Sequence, residues 1–390
     1  MNEDKSQQRA EALQLIQPYR LDARVDYPEP YYMLEYNGVP FSTLGGIQAI
    51  SGQKKNGKTF VLAQLMAAVL GTGVERTEHY LPGLRVPERT LEHLREKKND
   101  KDYLPKVLYV DTEMEKLNSA KVLRRVHWLC NWDTNQNQPE DRFNVLWLRA
   151  ITDQKDEEGR VIWKAFQQRW NIITAAIDAL EPDMVIIDGV RDIIGDFNNN
   201  EQSAALVSEL MSLAEQRGIC IWGALHMNPR PGNDDESKMR GHLGTELGNK
   251  VTDTLVSIKS KSANGVIFTV KQQDARGKDL DDWQFEVTDD AGNLGIPKII
   301  SVPSANTTSR IEADSKEDLK KWIDKAIETY TWPMRRKDIK KKVFGEIGGQ
   351  KNDGKQQADL QAAINYGLLH ESTVKENGYY LLMYDEDLPF

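Results

Sequence analysis

The stretch from Gly45 to Leu70 reads GGIQAIS, then Gly52-Gln-Lys-Lys-Asn-Gly57-Lys58-Thr59, and continues from Thr59 as TFVLAQLMAAVL. An apolar run, a turn that fits G-x-x-x-x-G-K-[ST] and an apolar helical run follow one another without a gap, and that strand, loop and helix order is the context the pattern requires. The physics is direct: the loop's backbone N–H groups and the helix N-terminus wrap an oligophosphate, Lys58 reaches the terminal phosphates, and the Thr59 hydroxyl ligates magnesium. Gly52, Gln53, Lys54, Lys55, Asn56, Gly57, Lys58, Thr59 and Phe60 are therefore the residues expected to hold a nucleotide. The bland alternative is a Gly-rich turn with an incidental lysine, and the flanking strand and helix argue against it.

Outward from this stretch, short apolar runs alternate with helical patterns up to about residue 290, the arrangement that builds a mostly parallel sheet covered by helices. Strands are expected at Gly46 to Ile50, Val107 to Val110, Val145 to Leu148, Met184 to Ile187 and Ile219 to Ala224. Three more, Thr254 to Ile258, Val266 to Val270 and Trp283 to Val287, sit close together and suggest antiparallel hairpins appended to the parallel core. Trp163 to Leu180 and Gln202 to Arg217 read as amphipathic helices. Residues 71–105 are a charged insertion, expected as a surface excursion with one short helix, and Pro229 to Lys238 is a Pro-, Gly- and acid-rich loop.

Three strand ends carry acids or a histidine. VLYVDTEM ends in Asp111-Thr112-Glu113, and at the C-terminal edge of a parallel sheet a carboxylate can activate a water beside a terminal phosphate. Glu113 is the candidate base, against the reading that Asp111 and Glu113 only cap the next helix. Met184-Val-Ile-Ile-Asp188 ends in an acid suited to magnesium or its water shell. ICIWGALH ends in His226, a candidate phosphate sensor or simply a polar edge residue.

This ordered set, with Arg240-Gly241 and a late strand pair behind it, resembles the RecA/DnaB-type ATPases, most closely the RepA-like hexameric helicases of plasmids and mobile elements, over roughly residues 25–290. The resemblance implies ATP and Mg²⁺ as cofactors, Glu113 as catalytic base, and a homo-hexameric ring with ATP at each interface and single-stranded DNA in a central channel. It further implies a Lys-x-Arg-like finger reaching the neighbouring subunit's ATP. Lys271 and Arg276 in Lys271-Gln-Gln-Asp-Ala-Arg276-Gly-Lys278 are its nearest matches, with Arg276 farther from Lys271 than the family pattern places it. Residues 227–250, with Arg230, Lys238, Arg240, His242 and Lys250, are the candidate channel loop, or else a solvated lid. The implied function is ATP-dependent unwinding or translocation of DNA in replication or mobilisation, with a primase or initiator as the kind of partner it would meet. The alternative is an ATP-switched DNA-binding scaffold that unwinds nothing.

Composition sets outer bounds. In 390 residues, 39% are hydrophobic and 28% charged, against averages of roughly 45–50% and 25%, which describes a somewhat polar globular protein rather than a disordered or fibrous one. The longest apolar runs fall short of the roughly 20 residues of a bilayer span, and the N-terminus shows no secretory pattern, so a cytoplasmic protein is expected. Cys130 and Cys220 make neither a disulfide framework nor a metal cluster and read as buried thiols. The net charge of −9 means that any contact with nucleic acid must come from local basic patches.

One such patch lies near the C-terminus. Residues 332–355 hold eight Lys or Arg against three acids, within a small unit expected to begin after a Ser- and Thr-rich linker at 301–315. Helical spacing of Leu319, Trp322, Ile323, Ala326 and Ile327, of Ile339, Val343 and Ile347, and of Leu360, Ala363, Ile364 and Leu368 gives three helices. Asn377-Gly378 between apolar runs gives a hairpin. Three helices and a hairpin describe a winged helix whose third helix, roughly Gln356 to Leu369, would enter duplex DNA, or one that docks protein instead. The expected organisation is an N-terminal arm at 1–30, an α/β RecA-like domain at 31–300, the linker, and a winged-helix domain at 316–390.

Overall fold

The computed structural model describes residues 2–136, 142–227, 239–262, 265–275, 277–300, 314–350, 353–366, 368–376 and 379–384. The chain divides into two units, one of Met1–Phe268 with Gln272–Asp279 and Val287–Lys298, the other of Thr269–Lys271 with Leu280–Glu286 and Ile299–Phe390.

Helix α1 (Asn2–Ile16) and a 3₁₀ turn (Gln17–Tyr19) open the chain, followed by β1 (Tyr32–Tyr36) and β2 (Val39–Thr43), a hairpin that sequence patterning did not suggest. Then come β3 (Ile47–Gly52) and α2 (Lys58–Leu70). The insertion differs from expectation. It folds as α3 (Glu75–Tyr80), β4 (Leu84–Arg85) and α4 (Glu88–Lys98), with β4 paired to β1 and Leu81, Leu84, Val86, Leu91 and Leu94 buried. Charged residues dominate its composition, but they sit between apolar positions that face inward, so it is a packed element and no mere surface excursion.

The strands β5 (Val107–Asp111), β6 (Phe143–Trp147), β9 (Met184–Asp188) and β10 (Cys220–His226) carry the core. Between β6 and β9, β7 (Gln154–Lys155) and β8 (Val161–Trp163) form a small antiparallel pair, so the following helix α6 (Ala165–Leu180) begins two residues later than its periodicity suggests. Helices α5 (Lys116–Leu129) and α7 (Asn200–Arg217) make the remaining crossovers. The Asn199 side chain caps α7 by accepting from the Gln202 amide at 3.0 Å, and Gly218 closes it in the left-handed conformation.

After α8 (Gly241–Lys250) come β11 (Asp253–Ser262), β12 (Gly265–Ala275), β13 (Trp283–Thr288) and β14 (Ile296–Ile300). The large sheet runs β14-β13-β12-β11-β3-β10-β9-β5-β6. Its centre is parallel, and β11 belongs to that parallel part: it pairs with β3 in parallel through Thr254, Leu255 and Val256. The late strands are thus not wholly an antiparallel appendage. Strands β3, β5 and β9 are buried along their whole length, as strands covered on both faces must be, and α2 is buried from Val61 to Leu70, which matches its apolar residues on every side. Register sets the functional edge: His226 lies level with Gly52, and Asp111 level with Asp188.

In the C-terminal unit, α9 (Lys316–Thr329) is followed by α10 (Arg336–Asp338), which passes into a π-helical segment (Ile339–Ile347), and then by α11 (Asp353–Asn365). Leu319, Ile323, Ala326, Ile339, Val343, Phe344, Leu360, Ala363 and Leu368 form one core, with Trp322, Ile327, Ile347 and Ile364 packed on it. The third helix is shifted from expectation. It ends at Asn365, and Leu369 instead opens β15 (Leu369–Glu376), which pairs antiparallel with β16 (Tyr379–Tyr384). Asn377 and Gly378 lie outside the described residues, as does most of the expected linker.

Candidate functional site

The loop after β3 must turn tightly and offer its amides to one side. Gly57 caps α2 with φ +86°, a conformation that L side chains rarely adopt, and a Cβ there would meet the Phe268 ring at 2.5 Å. A Cβ on Gly52 would meet the Ser257 carbonyl at 2.8 Å. Both glycines are therefore required by the close approach of β11 and β12. Ser257 completes the brace, its hydroxyl donating to the Asn56 carbonyl.

At the C-terminal strand ends a cleft of about 320 Å³ opens over this loop. Lys55, Asn56, Gly57, Lys58, Thr59 and Phe60 line it, as do Glu113, Asp188 and His226 from three other strand ends. Gly52 accepts from Lys58 just inside, while Gln53 and Lys54 do not line it.

The polar groups are joined in two sets. Lys58 Nζ donates to the Gly52 carbonyl at 3.3 Å and to His226 Nδ1 at 3.0 Å. His226 Nε2 lies 3.3 Å from Glu113 Oε2. Since an ammonium has only protons to give, Nδ1 must accept, which leaves the proton on Nε2 to be donated to the carboxylate. Burial lowers the Lys58 pKa against the opposing pull of Asp188 and Glu113. The His226 hydrogen bond holds Glu113 below the ordinary carboxylate range despite its own partial burial, with the charges of Lys58 and Arg191 adding to the effect.

In the second set Thr59 Oγ1 donates to Asp188 Oδ2 at 3.3 Å, and the Tyr109 hydroxyl donates to the same oxygen at 2.8 Å. Burial pushes Asp188 up to about 6, with the carboxylates of Asp111 and Glu113 adding to the rise. A hydroxyl and a carboxylate side by side are the hard oxygen donors Mg²⁺ prefers, and two protein ligands suffice when phosphate and water fill the remaining positions. Among the described residues, no group of three or more His, Cys, Asp or Glu is arranged to hold a metal unaided.

The capping alternative divides between two neighbouring acids. Asp111 accepts from the amides of Glu113 and Met114 at 2.9 Å and from the Ser119 hydroxyl, so it is spent on fixing the turn. Glu113 is left facing the cleft. Of the residues expected to act across a subunit boundary, Lys271 is not among those lining the cleft, and Arg276 lies outside the described residues. Arg230 and Lys238 also lie outside them, while residues 241–250 of the expected loop form α8.

Sequence reading missed Tyr109, Met114, Lys259 and Phe268. Tyr109 had a signal, since it stands two residues before Asp111 and so on the same face of the strand. Arg125 was also missed. It lies 4.4 Å over the Phe60 ring and donates to the Leu294 and Gly295 carbonyls at 2.6 and 2.7 Å, and burial lowers its pKa to about 10.

A family model described as an AAA domain matches residues 33–230, just over half of the chain, and spans the loop, Glu113, Asp188 and His226. No curated protein matches. No helix among the described residues is long and apolar enough to cross a membrane.

Proposed function

We propose that this chain, which belongs to the AAA domain family of P-loop ATPases, hydrolyses Mg²⁺-ATP and uses the cycle to translocate along or unwind DNA. The observation that carries the hydrolytic part is the run Lys58–His226–Glu113 set beside Thr59–Asp188, because a cation, a histidine, a cleft-facing carboxylate and a hydroxyl–carboxylate pair suited to Mg²⁺ meet at one sheet edge. Lys58, now donating to Gly52 and His226, exchanges those acceptors for phosphate oxygens when ATP enters. His226 then loses the Lys58 ammonium from Nδ1 and passes that change to Glu113 through its Nε2 proton. Glu113 takes a proton from the attacking water; it stays ionised at neutral pH because its pKa is depressed. Thr59 and Asp188 would hold Mg²⁺, which neutralises charge on the transferring phosphoryl group.

The DNA part has separate support. Met227 and Met239 face each other in a β-bridge directly after His226, and the Arg240 amide donates to the His226 carbonyl at 3.0 Å, so Arg240 of the expected channel loop is tied to the sensor strand. The C-terminal unit holds three helical segments and a pair of strands, which supports the winged-helix reading, and its basic residues suit duplex phosphates. A homo-hexameric ring, with Lys271 or Arg276 acting on a neighbour's ATP and a primase or initiator as partner, completes this reading.

The test is steady-state ATPase with and without single-stranded DNA. Stimulation of roughly tenfold or more is expected of a translocase, the size of a typical coupling between two sites. ATP hydrolysis indifferent to DNA, together with nucleotide-dependent DNA binding, would favour the switched scaffold.

A further inference from the structure

Lys259 stands on β11, outside every motif that the sequence displays, yet it lines the cleft beside the phosphate loop. It is exposed, and its ammonium sits 5.7 Å from the centre of the Phe268 ring, the same ring that packs against Gly57. It has no carboxylate partner among the described residues, whereas Lys58 is already tied to Gly52 and His226.

Sheet order decides what this ammonium can reach. β3 ends in the loop; β10, β9 and β5 follow on one side and bring His226, Asp188 and Glu113, and β11 lies on the other. A triphosphate whose terminal group faces His226, Asp188 and Glu113 therefore directs its α-phosphate and nucleoside toward β11. We propose that Lys259 binds the α-phosphate end of the nucleotide held by the same chain, as a second cation placed opposite Lys58, with Phe268 holding its stem over the loop. This rests on the nucleotide reading of the cleft.

A contact at the α-phosphate is present in substrate, transition state and product alike. It strengthens binding uniformly and leaves the chemical step alone. Lys259→Ala should therefore weaken ATP and ADP by the same factor, roughly tenfold, the size of one charge-assisted contact. KM should rise with kcat unchanged, and Lys259→Arg should restore much of the affinity because it retains the cation. The experiment measures ATP and ADP affinity by fluorescence titration, and steady-state ATPase, for wild type, Lys259→Ala and Lys259→Arg in the full chain. Wild type binding both nucleotides while Lys259→Ala binds them equally well would overturn the assignment. So would a fall in kcat at constant KM, which would place Lys259 at the terminal phosphate. A wild-type chain that bound neither nucleotide would instead overturn the reading of the cleft itself.

Discussion

The nucleotide cleft and the basic face of the C-terminal unit both gather positive charge, but by opposite means. In the cleft one lysine, Lys58, is 9% exposed, has named acceptors at 3.0 and 3.3 Å, and has its pKa lowered by burial. At the C-terminal face Arg335, Lys337 and Lys341 stand exposed around a core of Ile339, Val343 and Phe344. A desolvated charge acts through short range and fixed geometry, whereas exposed charges act as a sum and are screened by salt. Substitutions in the cleft should thus give large, residue-specific effects, and those on the face small, cumulative and salt-dependent ones.

The largest effect is expected at the loop. Lys58→Ala removes the ammonium aimed at the terminal phosphates and should lower kcat at least about a hundredfold, on the scale of losing a preorganised transition-state donor. Steady-state ATPase checks this, and normal turnover would remove Lys58 from the phosphate site. Gly57→Ala should abolish nucleotide binding by forcing the Phe268 ring off the loop, although it leaves every charge in place.

A second effect is pH-dependent. Asp188 has its pKa raised to about 6, so protons and Mg²⁺ compete for it as pH falls through that value. The Mg²⁺ concentration needed for half-maximal nucleotide binding should rise below about pH 6. Glu113, whose pKa is lowered, keeps its charge through the same window. The sign for stability is opposite to that of an ordinary salt-bridged acid: protonation of Asp188 relieves a burial cost, so the metal-free protein should not lose stability through this group between about pH 7 and about pH 5. Thermal melts across that range, with and without Mg²⁺, separate the two.

The smallest effects belong to the basic face. Lys337→Glu or Lys341→Glu alone should weaken duplex binding only a few-fold, and the slope of log affinity against log salt should become shallower by about 0.9 for each phosphate that the protein no longer neutralises. Complete loss of binding on a single substitution would mean that this face works like the cleft, through one fixed contact.

What the sequence revealed follows the same division. The loop was legible because its spacing is local, and Asp188 and His226 because strand ends in a parallel sheet share one edge. Lys259 and Phe268 were not, since only the placement of β11 beside β3, with β12 beside β11, brings them to the loop and no short-range pattern records it. The insertion at 71–105 was misjudged because its charges outnumber the buried Leu84, Leu91 and Leu94 that decide its packing. In the C-terminal unit the helical spacing identified the core residues, while the third helix both begins and ends earlier than expected, at Asp353 and Asn365.

Glu113, held by His226 at 3.3 Å, should act as the base and contribute nothing essential to nucleotide binding. The direct measurement is the state of the nucleotide bound to Glu113→Gln after mixing with Mg²⁺-ATP, alongside its affinity. Affinity should stay within about threefold of wild type, with ATP left intact and hydrolysis slowed by roughly 10²–10⁴, the range for loss of a general base. Bound ADP formed at the wild-type rate would contradict it.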